Sequence, residues 1–548
     1  EIRLSLVGSE MCIRDRSIES KKGVRTTQSE NASFILSLDH PAQENSGRCI
    51  GGALAWSGNY KLSFEVDERD YLSLLAGINP FMSSYTLDKG ERFETPKFLF
   101  TYSTDGQGTV SRNFHDWARR YGLHAGTKER PILMNSWEGA YFNFDEQMLT
   151  DMMDDAAELG VELFVLDDGW FGNKYPRNSD SMGLGDWQVN EKKLPRGIQY
   201  LIDHATSKGL KFGIWIEPEM VNPKSELAER HPKWIVQSPG REQITMRNQL
   251  LLDLTNPDVQ EFVWNVVDKL LSTYPDIYYI KWDANRHVEQ VGSPYLLPEE
   301  QMHFWVDYIR GLYRVYDRIR AKYPDVMLQA CASGGGRVDY GSLPYHDEFW
   351  TSDNTDALQR VYMQYATNLI YPPVATASHV SASPGHQTGS ITPLKFRFDV
   401  AMSGRLGLEL QPKDIPAEEM AFAREAIANY KTHVRELVTK GDLYRLISPY
   451  ECTNNHAANL LVRKDKSKAV LFAYCTGFNR RGIRPTVHLH GLDASKRYRI
   501  TEINKAGKRK AFWGEGHIYD GTYLQQVGIE LQIARQYDSA VFLLEEVK

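Results

Sequence analysis

The chain has no apolar run near the roughly 18–20 residues a membrane-spanning helix needs, so a membrane role is not expected. It is poor in cysteine: Cys12, Cys49, Cys331, Cys452 and Cys475 are scattered over 548 residues. Their odd number and the lack of a CxxC or Cys/His spacing exclude a disulfide framework and a zinc module, and a reducing cytosol is expected. Basic excess is missing too. The net charge is −7, with no long Lys/Arg run, so nucleic acid and anionic lipid are poor partners. Low-complexity tracts and repeats of 20–50 residues are absent. What remains is a globular, aromatic-rich composition, 42% hydrophobic with 12 Trp, 29 Tyr and 22 Phe, in a chain long enough for two or three domains.

The opening EIRLSLVGSEMCIRDR has neither helical period nor signal-peptide layout. It reads as a non-native leader over residues 1–16, in front of a first domain that is shorter than its own fold requires. Over 17–124, ASFILSLDH, IGGALAWSGNYKLSFEV and KFLFTYST alternate apolar with polar residues, and SRNFHDWARRYGLH, at 111–124, looks like an exit helix. That pattern predicts a partial N-terminal β-sandwich.

Over 125–440 the rhythm changes. Eight strand-like runs are separated by helical stretches: PILMNSW, ELFVLDDGW, KFGIWIEPEM, YYIKWD, VMLQACASGGG, EFWTSDN, YPPVATAS and RFDVAMSG. Strand–helix alternation of this length predicts a multidomain α/β protein built on a (β/α)8 TIM barrel. From 441 to 548 short alternating strands return, as a C-terminal antiparallel β-sandwich.

In such barrels the working residues sit where strands meet the βα loops. Read in order, those ends carry Asp167 and Asp168, Trp215, Lys281 and Asp283, Cys331, and Asp353. Asp283 and Asp353 close the fourth and sixth strands, within reach of one ligand. Paired carboxylates suit glycosidic bond cleavage, one as nucleophile and one as acid/base. Lys281 lies two residues before Asp283, on the same face of the strand, where its ammonium favours the ionised form. Taken singly, a strand-end Asp is more often a helix cap or turn residue. Five polar clusters that all fall at strand ends are harder to explain structurally.

Other groups read as supporting. Glu217 and Glu219 come from one extended segment and cannot bracket a bond, so they should hold loops. Asp339 and Asp356 lie in loops near the site. His379 and His386 lack a suitably spaced carboxylate, so a loop role is expected and no metal or other cofactor is called for. The aromatic helix MHFWVDYIRGLYRVYDRI should pack on the barrel's outer layer.

DDGWFG, GIWIEPEM, KWDANR, CASGGGRVDYG, WTSDNTDA and HQTGSITPL together resemble the α-galactosidases of glycoside hydrolase family 36, over more than 500 residues. The resemblance implies a retaining double displacement, with Asp283 as nucleophile and Asp353 as acid/base. It implies sugar contacts from Asp167 and Asp168 (the 4- and 6-hydroxyls), Trp215, Arg247, Lys281, Asn285, Cys331 and Gly334. KWDANR departs from the family pattern with Ala284 where Met is frequent, and RNQ at 247–249 matches loosely. The implied substrate is an α-galactoside oligosaccharide of the melibiose or raffinose type, and the implied assembly is a homotetramer. Two alternatives stand beside hydrolysis: a raffinose-synthase-like galactosyl transferase, and an inactive sugar-binding fragment.

Overall fold

The computed structural model of the protein describes residues 15–67, 69–451, 455–478, 482–507 and 510–548. Residues 1–14, most of the expected leader, lie outside them.

Eight parallel strands close into a barrel. They are β1 (Leu133–Asn135), β2 (Leu163–Leu166), β3 (Lys211–Ile216), β4 (Ile277–Trp282), β5 (Met327–Ala330), β6 (Glu348–Trp350), β7 (Thr376–Ser381) and β8 (Arg405–Glu409). Nearly every residue in them is buried, because helices cover the outside while side chains fill the inside. The connecting helices carry local stop and start signals. Asp145, Asn256 and Asp356 each accept a backbone N–H from the first turn of the helix they precede, which satisfies donors the helix itself leaves unpaired. The aromatic helix Phe304–Lys322 buries Phe304, Trp305, Tyr308 and Tyr316 and lies outside β4, with Tyr316 edge-on to Trp282 at 5.1 Å between ring centroids.

The eighth strand differs from expectation. RFDVAMSG is not a strand; most of it lies in the helix Leu394–Ala401, which buries Leu394, Phe396, Phe398, Asp399, Val400 and Ala401. A helix buried on all sides shows no amphipathic period, and in a short window its pattern reads as extended. The true β8, RLGLE, was obscured by a charge at each end and a central glycine. Inside the fold both find partners, Arg405 in an ion pair with Glu348 at 2.8 Å and Glu409 in a hydrogen bond with the neutral His379 ring at 2.9 Å. The seventh strand likewise starts later than YPPVATAS suggests, after a 3-10 turn at Pro373–Ala375. His379 lies inside β7 and not in a loop.

The first domain holds two three-stranded antiparallel sheets. One contains Asp15–Ser20, Tyr60–Val66 and Leu72–Ile78; the other contains Ser33–Ser37, Cys49–Ala55 and Lys97–Ser103. Phe34 and Phe64 join them edge to face at 4.9 Å. Asp15 and Arg16, placed in the leader by sequence, pair with Glu65 and Phe64. The exit helix begins earlier than expected, at Gln107. The C-terminal domain is a six-stranded antiparallel sheet with a two-stranded partner, Thr486–Val487 with Ile529–Glu530. No described helix is long and apolar enough to cross a membrane.

Candidate active site

Strand register brings the polar clusters to one rim. Lys281 of β4 sits level with Trp215 of β3 and Gln329 of β5, so neighbouring strands present their side chains at one height. Asp283 leaves β4 one residue past its end, its backbone N–H still bonded to Ile216 O at 2.8 Å.

From there the contacts form a chain. Trp215 Nε1 donates to Asp283 Oδ2 at 3.2 Å, and the Asn285 and Cys331 side chains also hydrogen bond to that carboxylate. Asn285 Oδ1 accepts from the Ser333 N–H and hydroxyl, both at 2.8 Å. Arg247 reaches the same serine, Nη1 to Oγ at 3.0 Å. It comes from the long excursion after β3, where Arg247 and Asn248 hold φ of 52° and 59°. Two consecutive non-glycine residues in the left-handed region are strained backbone, a feature that gathers at ligand sites. Gly334, at φ +79°, packs against the next strand end: a Cβ there would lie 2.6 Å from Ser352 Cα and 2.8 Å from Asp353 N. Only glycine lets the β5 loop approach Asp353 this closely.

Two further carboxylates line the rim from β2. Asp167 Oδ2 accepts from Lys281 Nζ at 2.9 Å and Asn135 Nδ2 at 2.6 Å, while its Oδ1 accepts the Asp168 N–H. Asp168 receives a guanidinium fork from Arg177, with Nε and Nη2 at 3.0 and 2.7 Å. All eight positions that the family resemblance assigns to sugar therefore join the neighbourhood of Asp283 and Asp353.

The electrostatics separate the two central acids. Burial pushes Asp283 up, but Lys281, Asn285, Arg247 and Cys331 outweigh it and hold the carboxyl below its ordinary value. Asp353, partly exposed at the end of β6, is pushed up to about 6 by burial and by the negative charge of Asp283. Burial alone would also lower Lys281; Asp167 keeps it charged, well above its ordinary value. Burial raises Asp167 and Asp168, opposed chiefly by Lys281 and by Arg177 respectively. One acid that stays ionised beside one that holds its proton is the condition for nucleophilic and general-acid work in a single site.

The supporting groups behave as supports. Glu219 accepts from Trp282, Tyr308 and, through both oxygens, Arg337. Glu217 accepts the Asn285 N–H and the Gln249 amide. Asp339 takes the Ser57 hydroxyl of the first domain and the N–H groups of Gly341 and Ser342. Asp356 caps a helix and accepts from Thr388 and Ser390. Among the described residues no group of three or more His, Cys, Asp or Glu side chains is arranged to hold a metal ion.

Sequence reasoning missed Arg177, which is fully buried on Asp168. It also missed Asn135 and Arg25. Arg25 comes from the first domain and donates to Asn285 O at 3.3 Å. None carries a local motif; Asn135 and Arg25 are identified by partners 32 and 260 residues away, and Arg177 by a carboxylate 9 residues before it.

Comparison with known proteins identifies the family of the chain. The Melibiase family matches residues 92–441, and the N- and C-terminal domain families of glycosyl hydrolase family 36 match residues 15–88 and 456–544. "Alpha-galactosidase AgaA" of Geobacillus stearothermophilus is 40% identical over 516 residues, 94% of this chain and 68% of that protein. "Alpha-galactosidase 1" of Pediococcus pentosaceus is 37% identical over 529 residues, 96% of this chain and 68% of that one. A crystal structure of a doubly substituted AgaA in complex with raffinose superposes with a TM-score of 0.91 at 38% identity, covering 97% of this chain and 72% of that one. The chain thus spans about two thirds of the length of the curated relatives it matches. It belongs to glycosyl hydrolase family 36.

Proposed function

We propose that the chain is a retaining α-galactosidase that removes terminal α-1,6-linked galactose from melibiose- and raffinose-type oligosaccharides. The observation that carries this reading is the divergence of two neighbouring carboxyl groups: Asp283 held ionised by Lys281, Asp353 pushed up to about 6. Asp283 would attack the anomeric carbon while Asp353 donates its proton to the leaving oxygen. Water, deprotonated by Asp353, would then release galactose with its configuration retained. AgaA crystal structures with raffinose and stachyose, at 38% identity, support the substrate class.

Asp167 and Asp168 are the galactose-reading groups in this proposal. Each carboxylate has more acceptor sites than its protein donors fill, and both are buried, so the axial 4-hydroxyl and the 6-hydroxyl complete them. Trp215, Arg247, Lys281, Asn285, Cys331 and Gly334 shape the rest of the sugar site. Cys49 and Cys331 are buried thiols, which suits the reducing cytosol proposed as its location.

The test is hydrolysis of p-nitrophenyl α-galactoside and raffinose, with the released anomer followed by NMR. First-formed α-galactose and little turnover of α-glucosides support the reading. First-formed β-galactose, or comparable rates on both sugars, would refute it. Light scattering of the purified chain tests the homotetramer that the family resemblance implies.

A further inference from the structure

One buried cation brackets Asp353 and has no place in the reaction described above. Arg360, in the first turn of the helix Ala357–Thr367, is 1% exposed. Its fork is directed at main chain: Nη2 donates to Ser352 O at 2.7 Å, Nε to Asn354 O at 2.8 Å and Nη1 to Ala377 O of β7 at 3.1 Å. Ser352 and Asn354 are the residues immediately before and after Asp353. The guanidinium also lies 4.5 Å from the Trp350 ring centroid, at the end of β6.

A buried arginine normally pairs with a carboxylate, because an isolated charge at depth costs several kcal/mol. Among the described residues no salt bridge to Arg360 forms. The acids nearest to it at longer range are Glu409, Glu138 and Asp353 itself. The first two are themselves joined. The Glu138 N–H bonds to Glu409, and Glu138 Oε1 accepts the hydroxyl of Thr355, two residues beyond Asp353, at 2.7 Å. On the other side Gly334 presses on the Asp353 N–H, and Gln387 Nε2 donates to Asp353 O at 2.6 Å. The carbonyls on either side of Asp353 are therefore held by one rigid fork. A lysine, with one nitrogen on a flexible stem, could not reach all three acceptors.

We propose that Arg360 is the positioning residue of Asp353, its fork setting the line along which that carboxylic acid meets the glycosidic oxygen. The proposal rests on the acid/base reading of Asp353. In the glycosylation step the bond from C1 to the leaving oxygen breaks, a bond from C1 to Asp283 forms, and the Asp353 proton passes to the leaving oxygen. A misdirected acid harms this step only where the leaving oxygen needs that proton. The sugar released from raffinose would otherwise depart as an alkoxide and needs the proton; the aryl galactoside releases a stabilised phenolate and does not.

The experiment compares Arg360→Lys, Arg360→Gln and Asp353→Ala with the parent chain on both substrates, using kcat/KM, which reports glycosylation. Thermal unfolding of each variant is recorded alongside. Both Arg360 variants should lose about 10²-fold on raffinose, the scale of a small misplacement, and much less on the aryl galactoside. Equal losses on the two substrates would overturn the proposal, as would failure of both Arg360 variants to fold, since either result makes Arg360 a structural residue. Asp353→Ala should show the same split in larger measure. If it does not, the acid/base reading itself fails. If it does while the Arg360 variants lose evenly, only the positioning role is wrong.

Discussion

Replacing Lys281 by Met removes the cation shared by the catalytic and galactose-reading acids while keeping the length of the side chain. Its Nζ lies 2.9 Å from Asp167 Oδ2, and after burial it is the largest influence on Asp283. An opposite charge within about 4–6 Å moves a carboxyl by about 1–3 pK units, or about 1.4–4 kcal/mol. Loss of Lys281 should raise Asp283 by an amount in that range. It should raise Asp353 as well, because Lys281 is the leading influence that lowers that group. The sign is then fixed for both limbs of the pH profile. The acid limb reports ionisation of Asp283 and the alkaline limb reports deprotonation of Asp353 in the free enzyme. Both should move to higher pH, so the bell translates instead of narrowing.

The assay is kcat/KM for raffinose, whose leaving group needs the Asp353 proton, between about pH 3 and about pH 9, a range that spans both limbs. The parent chain should peak on the acid side, below the Asp353 value of about 6. The variant's maximum should also fall, since Asp167 loses a donor. Breaking a buried pair costs about 3–5 kcal/mol, and proton uptake by Asp167 lessens that cost, so the unfolding temperature should drop without loss of the fold. Lys281→Gln serves as a second variant with the same expectation. A profile that stays in place while only its height falls would refute the argument, and so would a shift to lower pH.

Asp283→Ala should lower kcat on raffinose by several orders of magnitude, because the covalent route disappears; a loss below about tenfold would exclude Asp283 as nucleophile. Gly334→Ala places a Cβ 2.8 Å from Asp353 N in a left-handed backbone, and should cost about 10²-fold in kcat/KM on raffinose through displacement of the acid. Glu138, buried and beside Glu409, is pushed up from 4.5 to about 8. The unfolded chain therefore gives up this proton first, and the native state loses stability as pH rises through that interval, by at most about 1.4 kcal/mol per unit. Glu138→Gln should remove this loss, gaining in unfolding temperature over the parent at pH 8 relative to pH 5; a constant difference between the two pH values would count against the raised acid.

The legible part of the site was the part written locally. Lys281 and Asp283 are two residues apart on one strand, and period-two alternation alone puts them on one face. Asp167, Asp168, Cys331 and Asp353 follow apolar runs directly, and a parallel barrel turns every such position toward the same rim. The eighth strand escaped because Arg405 and Glu409 read as surface residues until the fold gives the one an ion pair with Glu348 and the other a hydrogen bond from His379.

Arg177 and Arg360 were illegible for a related reason. Each is one unremarkable arginine in a polar stretch, and each owes its role to acceptors that the fold brings to it. Arg360 meets one carbonyl in the turn after β6 and another within β7. Arg337 pairs with Glu219 across 118 residues, and Lys281 pairs with Asp167 across 114. A buried carboxylate needs a cation or several donors at fixed geometry, so each acid on this rim implies a partner, on the same loop for Asp168 and on another strand for Asp167. The acids can therefore be read from strand ends, and the number of partners they require can be counted. Which arginine or lysine answers each acid is decided by barrel closure, because only closure sets the distance between loops far apart in sequence. The same dependence makes Arg360 a sharper probe than Asp353 itself: removing Asp353 deletes the acid, whereas changing Arg360 leaves the acid in place and alters only the direction in which it is held.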